Sequence, residues 1–287
     1  MKICPVCHSK QKLIFLYQKF YYYRCKNCQL VSAYPLPTPK MIATHYAEKF
    51  KKGNYEILSK HPQQYIQVYA DFVKTLYNRL HESDGDTLKG KKILDIGCFT
   101  GDFLQLLQKK GANVYGLELQ NNAVKIANKK LPGRIFQADI MSYKFPKEQY
   151  DIITLLGVAE HVIDPLNLLK KSSQLLKKGG IIMIQTPNSS SLLARIAGKY
   201  WPPYTPVEHI HIFSKNGLRQ ALETCGLNDQ IYQSHWKKLQ VGYVYNNLNN
   251  FGPEFHRILK PLDSLLSSSR FVLPFYGGEM LVTAIKK

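Results

Sequence analysis

Residues 92–104 read Lys-Ile-Leu-Asp-Ile-Gly-Cys-Phe-Thr-Gly-Asp-Phe-Leu, which sets an apolar strand, a glycine turn and the start of a Leu-rich helix end to end. The unbroken apolar run at 93–96 fits a parallel strand buried on both faces. Glycines at 97 and 101 let the backbone pass close to a ligand, and amide groups at the helix start can meet its polar atoms. A strand, a glycine turn and a helix in that order make a nucleotide-cofactor site. The turn departs from the dinucleotide fingerprint, because Phe99 stands at its middle position and no glycine follows at 102. Asp95 adds a carboxylate on the strand itself.

The same unit then repeats along the chain. Gly111 ends the first helix, and residues 113–118 form a second strand closing on Glu118, where a doubly wound fold places the carboxylate that accepts ribose hydroxyls. Residues 135–140 bring a third acid, Asp139, followed by Ile140. Residues 150–156 are a fourth, continuous apolar strand leading to Gly157, Glu160 and His161. Asp164 as N-cap and Pro165 as first helical residue open a helix that runs to 178, with Gly179-Gly180 as its exit. Strand 181–185 then leads into Thr186-Pro-Asn188.

Ahead of this domain, Cys4-Pro-Val-Cys7 and Cys25-Lys-Asn-Cys28 fall within the spacing of a four-thiolate structural zinc site. The aromatic, β-prone stretch 13–23 between them suits the hairpin of a zinc ribbon. Disulfides are the competing reading, and a cytosolic chain disfavours them. Cys98 and Cys225 are isolated and read as packing residues. Pro35, Pro37 and Pro39 mark a linker. The pattern then turns helical to residue 82, with Tyr65, Val68, Tyr69, Phe72, Leu76 and Leu80 as a core stripe, Thr38 as first cap and residues 83–86 as the close. Tyr46 is a candidate lid residue.

The acid before the glycine turn, Asp151-to-His161 in the form D-x-I-x-x-x-x-V-x-E-H, the L-K-x-G-G exit and T-P-N together resemble the class I S-adenosylmethionine (SAM) methyltransferases across residues 91–190. The ribbon with C-Q-L-V-x-x-x-P-x-P, and Pro206-Val-Glu-His209-Ile-His211-Ile-Phe-Ser214, are similar to the ubiquinone O-methyltransferase-like and glycan-pathway group. Deoxysugar C-methyltransferases share the ribbon. The resemblance implies an α/β, doubly wound Rossmann-like sheet with an N-terminal zinc ribbon and a helical cap. It implies SAM held by Asp95, Gly97, Gly101, Glu118, Asp139, Ile140 and Gly157, with Asp139 at the adenine amino group, and structural zinc held by Cys4, Cys7, Cys25 and Cys28. The reaction expected is methyl transfer to a hydroxyl, with carbon as the lesser option, of a small metabolite, sugar or glycan precursor.

Methyl transfer from a sulfonium is chiefly alignment, and a histidine can take the hydroxyl proton. The candidates are His209, His211 and His161, the last with Glu160 beside it. His209 and His211 alternate along an extended segment, so at most one enters the pocket directly. The expected division is a ribbon at 1–35, a linker and cap at 36–90, and a methyltransferase domain at 91–287 with insertions at 189–214 and 236–275. The second insertion has helical pieces at Phe255, Ile258, Leu259, Leu262, Leu265 and Leu266. Residues 230–234 and 279–285 are read as the last two strands, the final one antiparallel between its neighbours.

A formal charge of +19 raises nucleic acid as a partner. The excess is spread over all three thirds of the chain, with no basic tail or stripe, so a lysine-rich background is favoured over an RNA footprint, with an anionic small substrate, such as a nucleotide-linked one, between the two. An rRNA or tRNA methyltransferase is the enzyme alternative, and a non-catalytic scaffold that recruits a partner through the ribbon is the other. No run has the length of a membrane span, the N-terminus is unlike a signal peptide, and a cytoplasmic protein is expected.

Overall fold

The computed structural model describes residues 2–51, 62–80, 88–143, 148–246 and 260–287. Two sheets organise them. In the larger, β5 (Lys92–Ile96), β6 (Asn113–Glu118), β7 (Ile135–Gln137), β8 (Tyr150–Leu156) and β9 (Leu176–Pro187) run parallel to one another. β12 (Val272–Lys286) lies antiparallel between β9 and β11 (Leu227–Gln240). The seven strands stand in the order β11-β12-β9-β8-β5-β6-β7. The reversed strand expected from the sequence is thus present, and the sheet is that of the doubly wound class.

The centre of the sheet is dry because its strands are apolar on both faces: Ile93, Leu94, Ile152, Ile153, Ile182 and Ile184 are all fully buried. Helix Asp102–Lys109 covers one face through Phe103, Leu104 and Leu107. Helix Pro62–Leu80 joins it there, with Phe72 and Phe103 in edge contact at 5.9 Å. The stripe from Val68 to Leu80 is therefore core, while Tyr65's side chain, the proposed close at 83–86, and Phe255, Ile258 and Leu259 fall outside the described residues.

Three boundaries differ from the sequence reading. The helix after Asp164 stops at Leu175, short of the glycine pair, because Leu176 is wholly buried and already pairs with Tyr150 of β8. β11 continues to Gln240 and β12 begins at Val272, so residues at both ends of the stretch read as an insertion belong to a long hairpin that extends the sheet. Pro39 is the first residue of helix Pro39–Lys51, capped by the Thr38 hydroxyl, which accepts from the Met41 amide at 3.2 Å.

The second sheet is the ribbon. β1 (Lys2–Ile3), β2 (Lys10–Tyr17), β3 (Phe20–Cys25) and β4 (Val31–Tyr34) follow one another across it, and β10 (His211–Ile212), from far along the chain, completes it beside β4. The four cysteine sulfurs lie within 4.8 Å of one another. Zn–S bonds of about 2.3 Å place tetrahedral sulfurs about 3.8 Å apart. The Cys4–Cys28 and Cys7–Cys25 separations of 3.5 and 3.4 Å match that cage. The thiol set therefore fits structural zinc.

The knuckles also join the main core. Cys4, Val6, Cys25, Cys28 and Leu30 belong to the same buried cluster as Leu94, Ile96 and Leu155 of the large sheet. The Ser214 hydroxyl, which caps helix Lys215–Thr224, donates to the Cys28 carbonyl at 2.6 Å. Stripping the metal with a chelator, or Cys28→Ser, should consequently lower the melting temperature of the whole chain by more than about 5 °C in a single calorimetric transition. An early, separate transition with the main one unmoved would show that the ribbon melts alone.

Candidate active site

The parallel strands end along one edge of the sheet, and a cavity of about 530 Å³ opens there. Its floor is the glycine turn. Gly97 has φ 75° and Gly101 φ 73°, both left-handed. A Cβ on Gly97 would come within 2.6 Å of Val158 Cγ2, and one on Gly101 within 3.2 Å of Ala127 Cβ, so the turn has no room for side chains at these places. Phe99 also takes a positive φ, 49°, and lines the cavity. The turn is tied to the end of β6: the Gly97 and Cys98 amides donate to the Leu117 carbonyl at 2.8 and 3.0 Å, and the Phe99 amide to Glu118 Oε2 at 3.0 Å. The expectation that the turn amides face a ligand is narrowed by this, since those three are already spent. The acids are left to do more of the recognition.

Asp95 is buried at the end of β5, lines the cavity, and accepts a hydrogen bond from the Thr154 hydroxyl at 2.6 Å. Burial pushes its pKa up to about 7, against the Thr154 bond that favours the charged form. Glu118 is half-buried, and its Oε1 takes the Leu119 and Gln120 amides, both at 2.8 Å. Asp139 lies exposed beyond β7 with Oδ1 on the Met141 amide, next to buried Ile140, and Gly157 turns at φ 67° after β8.

The histidines separate. His209 reaches the cavity wall; its Nδ1 bonds the Pro203 carbonyl at 2.7 Å and its ring lies 4.8 Å from that of His161. His161 Nδ1 meets the Glu208 carbonyl at 2.8 Å and the Tyr46 hydroxyl at 3.1 Å. Glu160, Thr186-bonded and buried, brings a carboxylate to 3.8 Å from His161 Nε2. Glu160, His161 and His209 thus offer three potential metal ligand atoms within 4.8 Å. His211 points the other way, into the ribbon, with Nδ1 on the Ser32 hydroxyl and Nε2 on the Ile163 carbonyl. Desolvation lowers the pKa of both His209 and His211 to about 4.

Above them, helix Pro39–Lys51 is latched by Lys49 and His45 to Glu208. Burial opposes the Glu208 charge, but the Lys49 hydrogen bond and the neighbouring imidazoles outweigh it and hold the carboxyl down to about 2.

Other cavity residues carry no sequence motif: Gln185 on β9, His235 and Lys237 on β11, and Glu279 on β12. Lys237 lies in the stretch read as an insertion, and Glu279 opens a stretch read only as a core strand. Only Glu279, an acid beside the apolar run of β12, carried a signal that could have found it; Gln185, and His235 and Lys237 in a largely polar strand, carried none.

The fold and the acid-bearing glycine turn together define a nucleotide-cofactor enzyme of the α/β class. Residues 63–230 match the family described as a methyltransferase domain. The ubiquinone biosynthesis O-methyltransferase of Pelagibacter ubique is 30% identical over 193 residues, covering 58% of this chain and 79% of that one. Its counterpart in Idiomarina loihiensis is 28% identical over 182 residues, covering 59% and 72%. A SAM-dependent methyltransferase structure from Thermotoga maritima superposes with a TM-score of 0.55 at 19% identity, over 86% of this chain and 99% of that one. One from Archaeoglobus fulgidus gives 0.50 at 20% identity, over 75% and 94%. The chain belongs to the SAM-dependent methyltransferase family, on its O-methyltransferase branch, with SAM as methyl donor. Among the described residues, no helix is long and apolar enough to cross a membrane.

The raised Asp95 pKa has a measurable cost. A carboxyl that holds its proton more tightly when folded adds stability below its unfolded pKa near 3.8 and loses it as pH rises to about 7. Asp95→Asn, which keeps an acceptor for Thr154, should therefore stabilise the ligand-free protein at pH 7.5 by on the order of a few kcal/mol and leave it little changed at pH 4. Denaturant melts of both proteins at the two pH values check this; equal stabilities at pH 7.5 would contradict it.

Proposed function

We propose that this chain is an O-methyltransferase for a hydroxyl on a small, ring-bearing metabolite, with SAM seated across the ends of β5, β6 and β7. The observation that carries the reading is one cavity whose floor is the Asp95–Gly97 turn and whose walls are Tyr69, Phe72, Phe99, Phe103, Tyr243 and Phe275. Glu118 would accept the ribose hydroxyls, Asp139 with Ile140 would meet the adenine, and Asp95, Gly97, Gly101 and Gly157 would border the amino-acid end. The left-handed glycines suit a turn whose backbone lies against a cofactor.

When bound, SAM supplies an electrophilic methyl group on a positively charged sulfur. The chain's own task is to align a hydroxyl with that group, keep water away and receive a proton. The aromatic walls and the helix Pro39–Lys51 latch serve exclusion; His209, with His161 behind it, is neutral near pH 7 and placed to hold a substrate oxygen. Flat apolar walls favour a ring, as in the pathway for which the relatives are named; a sugar or glycan precursor is the narrower expectation from the ribbon. The ribbon at 1–35 and cap at 36–90 are proposed as supports for this domain, the ribbon through β10 and the cap through Lys49 and Phe72.

Calorimetric titration with SAM and S-adenosylhomocysteine tests the cofactor seat. One-site binding is expected, weakened roughly 10–100-fold by Glu118→Ala, the loss that follows from removing a charged hydrogen-bond acceptor. Methyl transfer from radiolabelled SAM to catechol, compared with a nucleotide sugar, then separates ring from sugar. Absence of SAM binding to the folded protein would overturn the reading.

A further inference from the structure

The wall opposite the glycine turn is built by β11 and β12, where His235 lies directly across from Glu279. Beyond that pair the register slips: Lys237 faces Phe275, so Trp236 alone spans Tyr276, Gly277 and Gly278. A bulge of this kind bends a strand and re-aims its side chains. Here only glycine permits it. Gly278 has φ 84°, and a Cβ would stand 2.7 Å from Ser191 Oγ and 2.9 Å from Trp201 Cζ2. The bend sets Glu279 facing the cavity, where its carboxylate accepts from Lys237 Nζ and Gln185 Nε2, both at 2.6 Å.

His235 is the member without a match. It is 5% exposed, lines the cavity and stacks on Phe72 at 5.1 Å. Its Nε2 is buried with no hydrogen-bond partner. An orphaned buried nitrogen is unfavourable and persists where a ligand atom completes it. His209 shares the cavity, but its Nδ1 is committed to the Pro203 carbonyl and its ring to His161.

We propose that His235 is the base for the transferred methyl's acceptor, taking the proton of the substrate hydroxyl while the charge of Glu279 across the strands favours the imidazolium that forms. This rests on the O-methyl-transfer reading above. In the balanced step the O–H bond breaks and its proton passes to Nε2 of the neutral ring. The oxygen's electron pair makes the new O–CH₃ bond as the carbon–sulfur bond is released with its pair on sulfur. The proton later leaves to water. The charged groups facing the ring are Glu279 on β12, Lys237 on its own strand and Asp71 on helix Pro62–Leu80. Burial, reinforced by Lys237, keeps the ring neutral and able to accept; Glu279 and Asp71 pull the other way. Glu279 is the cross-strand neighbour of His235 and acts on the ring through its charge, its oxygens being held by Lys237 and Gln185.

The test uses the full-length, zinc-loaded protein, radiolabelled SAM and catechol as acceptor. His235→Gln should lower kcat by about 100-fold or more, the usual worth of a positioned base. Its affinity for S-adenosylhomocysteine by calorimetry should stay within about twofold of the parent, which also shows that the variant is folded. Glu279→Gln should move the acidic limb of the kcat–pH profile to lower pH, because the charge that raises the imidazole pKa is gone. His235→Gln activity within about threefold of the parent, or an unshifted limb in Glu279→Gln, overturns the assignment alone. A parent protein that binds SAM and methylates neither catechol nor a nucleotide sugar overturns the O-methyl reading and the assignment with it.

Discussion

Everything at the ligand edge hangs on one small arrangement, the end of β6 gripping the glycine turn. The Leu117 carbonyl takes two turn amides and the Glu118 carboxylate takes a third. This fixes the loop after β5 in a left-handed conformation that Gly97 and Gly101 make accessible, and it draws Asp95 and Glu118 toward one seat. Burial of Asp95 at the edge of a dry sheet is what raises its pKa, with the Glu118 charge adding a smaller push and the Thr154 hydroxyl acting against both.

The ribbon contributes to the same edge from behind. β4 pairs with β10, so Ser32 meets His211 while, two residues earlier, His209 turns to the cavity. The segment between them also anchors Glu160, whose carbonyl receives the Ile210 and His211 amides. A thiolate cage within the main core thus sets the position of a loop that carries Glu208 and His209, and a structural metal and the ligand cavity become mechanically connected.

Much of this is legible in the residues because the signals are local. A strand, a glycine turn and an N-cap are each decided within a few positions, so β5, β6, β8, the Asp164 cap and the cysteine knuckles lie where their patterns put them. The alternation of His209 and His211 carries over to their opposite surroundings. The illegible part depends on distant pairing. Gln185, His235 and Glu279 come from three strands, and their meeting needs the β12 bulge at Gly277–Gly278, whose constraint is the Trp201 ring from another loop. The glycine pair after Leu176 misleads for a related reason: burial of Leu176 against β8 ends the helix before local chemistry does.

One cavity joins the cofactor turn to a polar wall on β11 and β12, and the function assigned to both stands or falls on that continuity. A crystal structure of the complex with S-adenosylhomocysteine is the decisive measurement. The adenosine should lie between Glu118 and Asp139, and the sulfur above Gly97 should face the His235–Lys237–Glu279 wall across open space for a substrate. A homocysteine arm turned away from that wall, or an adenine occupying it, would contradict the shared cavity.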